Sequence, residues 1–292
     1  MHSVALLTPT YRNDIDRFEL LCESIDRYVT GFDRHYVIVN DDDFHLFQRF
    51  ASLRRLVIKA SKFLPVWLVP APRFLARNGR RVWVSALSMP VHGWHVQQLV
   101  KIAGSLAARE DRVCIVDSDN TFFRNFDVRA YAGGETTPLY VDRDAIKMEM
   151  PNHTVWTKNA FKLLGLGEPT YPSDDYVGNV IAWDRGALKA MTEHIHRITG
   201  VDWRLALCRS RGFSEYLLYG NFVANAPHWR ERHQVVEDSL ACAYWEETSV
   251  NASWLKAMVA NADPHKVALC IQSYSHTAVL DIRTAMHGAV AA

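Results

Sequence analysis

The chain has 292 residues, enough to bury a large core as one α/β domain or two small ones. A hydrophobic fraction of 49% and a charged fraction of 22% are those of a folded globular protein and exclude low-complexity disorder. Thirty-three basic residues against thirty-two acidic ones leave no net field to gather a polyanion, so nucleic acid is not an expected partner.

Residues 3–8 read as a first strand. Phe18, Leu21, Cys22, Ile25 and Val29 then recur at i, i+3, i+4, i+7 and i+11, the spacing of a helix with one buried face. A second strand over 36–40 ends in Asp41, Asp42 and Asp43. Residues 62–69 are apolar enough to sit at a membrane interface, with packing on the domain as the other reading. From 70 to 81 the chain is rich in Pro and Arg without a period, which predicts a mobile loop. A basic loop at the ligand edge of a sheet could fold over a diphosphate or simply be solvated. Val96, Leu99, Val100, Ala103 and Leu106 mark another helix, which leads into a buried strand over 112–116. This alternation predicts an α/β fold with a mostly parallel central sheet flanked by helices.

The second half is less regular. It offers a strand over 179–183, a helix with Ala187, Leu188, Met191 and Ile195 on one face, and a short helix with Ser214 as N-cap and Gly220 as its stop. A further strand follows over 267–271. No repeat and no linker marks off an independent second domain. The five cysteines lack a CxxC pair and read as small core residues of a reducing compartment. The first apolar run is too short for a signal peptide, and no run approaches the ~20 residues that span a bilayer. A cytoplasmic location without a transmembrane segment is therefore expected.

The strand over 112–116 runs into Asp117-Ser118-Asp119-Asn120. Positions i and i+2 of an extended segment project to the same side, so both carboxylates can face one hard divalent cation. In open α/β sheets the ligand crevice lies beyond the carboxyl ends of the strands. An ordinary strand-to-loop turn uses the same residue types. Past the first strand, Thr8, Thr10, Tyr11 and Arg12 supply hydroxyls, a ring and a guanidinium suited to stacking on a base and bonding phosphate or ribose. A Pro-containing turn that caps the next helix is the alternative. Asp42, with Asp41 and Asp43, could reach the base or ribose or form a solvated acidic turn. Gln97, Gln98 and Lys101 lie partly off the apolar stripe of their helix, and Lys101 either pairs with a carboxylate or phosphate or is an exposed lysine.

Four segments in this order resemble the GT-A-fold glycosyltransferases: Thr8-Pro9-Thr10-Tyr11-Arg12-Asn13-Asp14, Gly93-Trp94-His95-Val96-Gln97-Gln98-Leu99-Val100-Lys101, Val116-Asp117-Ser118-Asp119, and Tyr171-Pro172-Ser173-Asp174-Asp175-Tyr176-Val177-Gly178-Asn179. The resemblance spans most of the chain. It implies a GT-A-like, Rossmann-like catalytic domain over 1–292, with 1–130 as the nucleotide-sugar-binding half and 131–292 as an irregular acceptor-binding half. The implied reaction moves a sugar from a nucleoside-diphosphate sugar to a hydroxyl acceptor, a glycan, a glycolipid precursor or a small molecule. Charge builds on the departing diphosphate, and a divalent cation stabilises it without proton transfer.

By the same resemblance Asp119 would ligate that cation, and Asp117 would do so directly or through water or the donor ribose. Thr8, Thr10, Tyr11, Arg12, Asp42, Gln98, Lys101, Asp117 and Ser118 would face the donor. His276, just past the strand over 267–271, would close the metal site, a surface histidine being the alternative. Mixed carboxylate and imidazole ligands lean toward Mn2+ over Mg2+. For an inverting reaction Glu215, Asp174 and Asp175 are the candidate bases. Glu215 could instead stabilise the positive end of its helix, and a retaining reaction needs none of the three as a base.

Two other readings use the same residues. The run 115–121 also fits the Asp-x-Asp-x-Thr signature of haloacid-dehalogenase-like phosphatases, in which Asp117 would attack phosphorus and Asp119 act as acid and base. That signature normally ends the first strand of its domain, whereas here more than a hundred residues of strand and helix precede it, and no convincing lysine-bearing helix or Ser/Thr strand end supplies the remaining parts. The third reading is a non-catalytic nucleotide-sugar-binding protein.

Overall fold

The computed structural model describes residues 1–72 and 81–288. β1 (Val4–Thr10) is buried at every position, as a central parallel strand covered on both faces must be. α1 (Ile15–Tyr28) presses Phe18, Leu21, Cys22 and Ile25 onto one face of the sheet. β2 (Arg34–Val39) and β3 (Arg55–Lys59) extend the sheet to one side. α2 (Gly93–Ala107) covers the other face with Leu99, Val100, Ile102 and Ala103. Its Gly104 permits the close approach, since a Cβ there would lie 2.4 Å from Ile38 Cδ1.

β4 (Arg112–Ile115) returns to the free edge of β1, and β5 (Asn120–Phe122) follows the Asp-Ser-Asp turn. Then come α3 (Pro151–Leu164), β6 (Ser173–Asp175), β7 (Ile181–Asp184), α4 (Arg185–Thr199), α5 (Glu215–Asn225), β8 (Ala241–Tyr244) and β9 (Ala268–Ile271). The central sheet has the order β7-β4-β1-β2-β3, parallel except for β7, which runs antiparallel to β4. From β1 the chain leaves toward β2 and later returns to β4 on the opposite side. The connections therefore diverge between the carboxyl ends of β1 and β4, where such a sheet opens a crevice. A smaller sheet pairs β9 with β8 in parallel and with β5 antiparallel. Because β5 starts one residue after Asp119, this pairing brings the C-terminal segment to the crevice, and Ile271 N donates to Asp119 O at 3.1 Å.

Several expectations change in detail. β1 continues through Pro9 to Thr10. Val69–Pro70 pairs antiparallel with Val82–Val84 where a loop is expected over 70–81, and residues 73–80 of that loop lie outside the described residues. In the stretch 62–69, Phe63, Leu64 and Trp67 pack against the core and Leu68 is buried, while Val66 is exposed. Gly220 does not stop its helix, which runs on to Asn225. All five cysteines are free, and four are buried. Among the described residues no helix is long and apolar enough to cross a membrane.

Candidate active site

Lys101 is the centre of a buried polar cluster at the carboxyl ends of β1 and β4. It sits two turns into α2 and is buried, with its Nζ donating to Asp117 Oδ2 at 2.9 Å, Glu215 Oε1 at 2.9 Å and the Tyr216 hydroxyl at 3.2 Å. The ammonium also lies 2.8 Å from Asp117 Oδ1 and 4.8 Å from the centre of the Tyr216 ring. Burial on its own would lower the lysine pKa, but the carboxylates of Asp117 and Glu215 overcome it and hold the group well above its usual value. Glu215 is pushed up by burial, against the pull of Lys101. At 3% exposure its carboxylate is committed to that lysine.

The helix end is fixed from two sides. Ser214 caps α5 by accepting from Leu217 N, and Gln98 Oε1 accepts from Glu215 N at 3.0 Å. Gln98 is thereby held in place by backbone, with its Nε2 buried and without a partner among the described residues.

A second group of carboxylates lies beside this knot. Asp14 opens α1 and takes a 3.4 Å bond from Ser118 Oγ; burial pushes its pKa up to about 6, against the pull of Arg17. Asp119 is half-buried, and burial together with the charges of Asp117 and Asp14 pushes it up to about 7. Three buried polar atoms here have no hydrogen-bond partner among the described residues: Thr10 Oγ1, Gln98 Nε2 and Asn120 Oδ1. Unsatisfied buried groups are rare in folded proteins, and several around one crevice mark it as a place for solvent or a ligand.

The other nucleotide-side candidates spread over a wider area. Thr10 ends β1 beside the half-exposed Tyr11. Arg12 is tied to the buried Asp43, its Nε 2.6 Å from Oδ1, and Asp42 pairs with Arg81 at 3.1 Å. Thr8 lies inside the sheet, where its hydroxyl donates to Val116 O at 2.7 Å and meets His35 Nε2 at 3.0 Å. It braces the strand end that carries Asp117 and does not face the crevice.

His276 is exposed, in the left-handed conformation (φ 57°) at the end of the turn Ser273–Ser275, and no described contact joins its ring to Asp117 or Asp119. Among the described residues no three His, Cys, Asp or Glu side chains are placed to hold a metal ion. The residue of this segment that senses the crevice is Tyr274, whose hydroxyl pKa is raised by burial, Cys270 and Asp119.

Asp174 and Asp175 occupy β6, and no described contact joins either to Lys101. Asp174 accepts from Arg143 Nη1 at 2.8 Å and from Asp144 N at 3.2 Å. Asp175 is buried, accepts from Val177 N at 2.9 Å, and lies 3.5 Å from His153 Nε2; burial raises its pKa. Sequence reasoning missed Asp14 as a member of the acidic group, Tyr216 as a partner of Lys101, and Asn120. The one signal available was adjacency, since each stands within three residues of a candidate named from the sequence.

These features define a mixed α/β protein with a mostly parallel central sheet and a polar, partly unsatisfied crevice at the carboxyl ends of its central strands. A family model described as a family of unknown function (DUF6492) matches residues 3–289, and the chain belongs to that family. No curated protein matches it.

Proposed function

We propose that the protein is a GT-A-like glycosyltransferase that moves a sugar from a nucleoside-diphosphate sugar to a hydroxyl acceptor such as a glycan or a glycolipid precursor. The observation that carries this reading is the set of unpartnered buried polar atoms at the switch between β1 and β4, gathered around Lys101 and the carboxylates. The nucleotide would lie along Thr10, Tyr11 and Ser118, with Arg12 held in position by Asp43.

Electrostatics supports a companion cation. Asp14, Asp117, Asp119 and Glu215 stand against Lys101 and Arg17, and the raised pKa values of Asp14 and Asp119 reflect burial and mutual repulsion of carboxylates that a bound cation would relieve. An ion carried in by a diphosphate needs only one or two protein carboxylates, not a complete protein cage. Asp119 and Asp117 would supply these to Mn2+ or Mg2+, with His276 outside the set. When bound, the ion would offset the charge on the leaving diphosphate. Glu215 is assigned to hold Lys101 and Asp174 is paired with Arg143, which leaves Asp175 as the carboxylate for the acceptor proton. A cytoplasmic place accords with the five free cysteines.

Calorimetry with UDP, GDP, CDP and ADP tests the reading. At least one diphosphate should bind only with Mn2+ present, and Asp119→Ala should weaken it by about 10-fold or more in a folded protein. Unchanged metal-dependent affinity in Asp119→Ala overturns the site. If Asp175 is the base, Asp175→Asn should lower turnover by roughly 10²-fold with nucleotide affinity intact.

The phosphatase alternative gains one observation, a lysine bonded to Asp117. Hydrolysis of p-nitrophenyl phosphate that is lost in Asp117→Asn, with no diphosphate binding, would decide for it.

A further inference from the structure

Trp94, Gln98 and Lys101 stand at i, i+4 and i+7 of α2, so they share one stripe of the helix, with Trp94 about 10 Å along the axis from Lys101. One end of the stripe meets Asp117 and Glu215. At the other end the Trp94 indole stacks on Trp156 of α3, ring centres 5.1 Å apart with 29° between the planes, and Trp94 remains 47% exposed. The His153 ring lies 4.8 Å from Trp156, and its Nε2 is 3.5 Å from Asp175 Oδ2. Asn159 fixes the neighbouring loop through the carbonyls of Arg211 and Gly212, and a Cβ on Gly212 would already touch the Trp156 ring at 3.6 Å. The shelf is therefore built and supported, and the function proposed above does not use its aromatic part.

We propose that this shelf binds a saccharide ring. The half-exposed Trp94 indole offers a flat apolar face, which matches the C–H face of a pyranose, while the partly exposed His153 imidazole, oriented by the buried Asp175, offers a hydrogen-bonding group on the same shelf. A purely apolar ligand would strip water from His153 without replacing it. An anionic ligand would meet the Asp175 carboxylate. A neutral, hydroxyl-rich ring satisfies both halves of the surface. Its role as the acceptor, held one donor sugar away from the diphosphate end of the crevice, rests on the transferase reading; the binding itself does not.

The test uses the full chain on a microarray of oligosaccharides, followed by saturation-transfer NMR with the methyl glycosides of glucose, galactose and N-acetylglucosamine. Wild type should bind at least one saccharide. Trp94→Ala should weaken that binding by about 10-fold or more, the scale of a lost aromatic anchor. Trp94→Phe should restore most of it, and His153→Ala should weaken it independently. UDP and GDP affinity with Mn2+ should be the same in all of these proteins. A blank array with wild type, or saccharide affinity in Trp94→Ala equal to wild type, overturns the proposal. Saccharide binding that depends on Trp94, in a protein that binds no nucleoside diphosphate, sustains the shelf and removes the transferase.

Discussion

Lys101 shows how one side chain ties the crevice together. Its ammonium neutralises Asp117 and Glu215 in a site where all three groups have lost most of their water. Removing one partner of a buried ion pair costs about 3–5 kcal/mol, because the charge left behind stays desolvated. Urea unfolding of Lys101→Met should show a loss of this size, and adding Glu215→Gln should recover part of it; a loss below about 1 kcal/mol would mean that the ammonium is well hydrated. The acidic neighbours make a separate pH prediction. Asp119 and Asp14 titrate near 7 and 6 in the folded protein against an ordinary 3.8, so the folded state keeps protons that the unfolded chain has released. Stability from these two groups therefore falls as pH rises from about 4 to 7. His95 and His233, both pushed down to about 4 by burial, act in the opposite sense below their ordinary 6.5. The readout is therefore the difference between two proteins: relative to wild type, Asp119→Asn should gain Tm progressively between about pH 4 and pH 7 and keep that gain above it. Parallel curves would show that Asp119 holds no such proton.

At the level of elements, α5 sets propensity against packing. Gly220 lies inside this helix, where alanine is better by about 1 kcal/mol on propensity alone. A Cβ there would fall 2.1 Å from Cγ of the Tyr176 ring, which is itself buried, so the ring or the helix must move. Overpacking of this kind costs about 1–3 kcal/mol or more, and Gly220→Ala should lower stability in chemical denaturation. A stabilised variant would show that Tyr176 can move aside. The same glycine marks the limit of sequence reading. Glycine after an apolar run signals a helix end, and nothing local announces a tyrosine forty-four positions earlier that needs the space. Elements set by local periodicity were legible: β1, α1, β2, α2, β4, β7, α4 and the capped start of α5. The pairing of β9 with β5, which brings the C-terminal segment beside Asp119, depends on residues about 150 positions apart. Asp117 and Asp119 could be named because a strand end and a two-residue spacing are local. The burial of Lys101 could not, because its partner Glu215 is 114 positions away.

Across the whole molecule the two halves of the chain are interleaved. β7, from the second half, closes the edge of the central sheet beside β4, with Ile181 opposite Ile115 and Asp184 opposite Arg112. The fully buried Arg112 is paired with Asp184, so the neutralising charge for a strand of the first half comes from the second. Arg17 of α1 donates to the carbonyls of Ile271 and Thr277 near the other end of the chain. A fragment of residues 1–130 would expose the apolar edge of β4, leave Arg112 without Asp184 and Lys101 without Glu215, and open the unpaired edge of β5. Each is a recognised source of aggregation or of several kcal/mol of instability. That fragment should therefore show no cooperative thermal transition and no metal-dependent nucleotide binding, whereas the full chain should unfold in one transition. A soluble 1–130 fragment with a sharp melting curve and dispersed NMR amide signals would show that the first half is an autonomous unit. The crevice would then belong to it alone, with the second half only covering it.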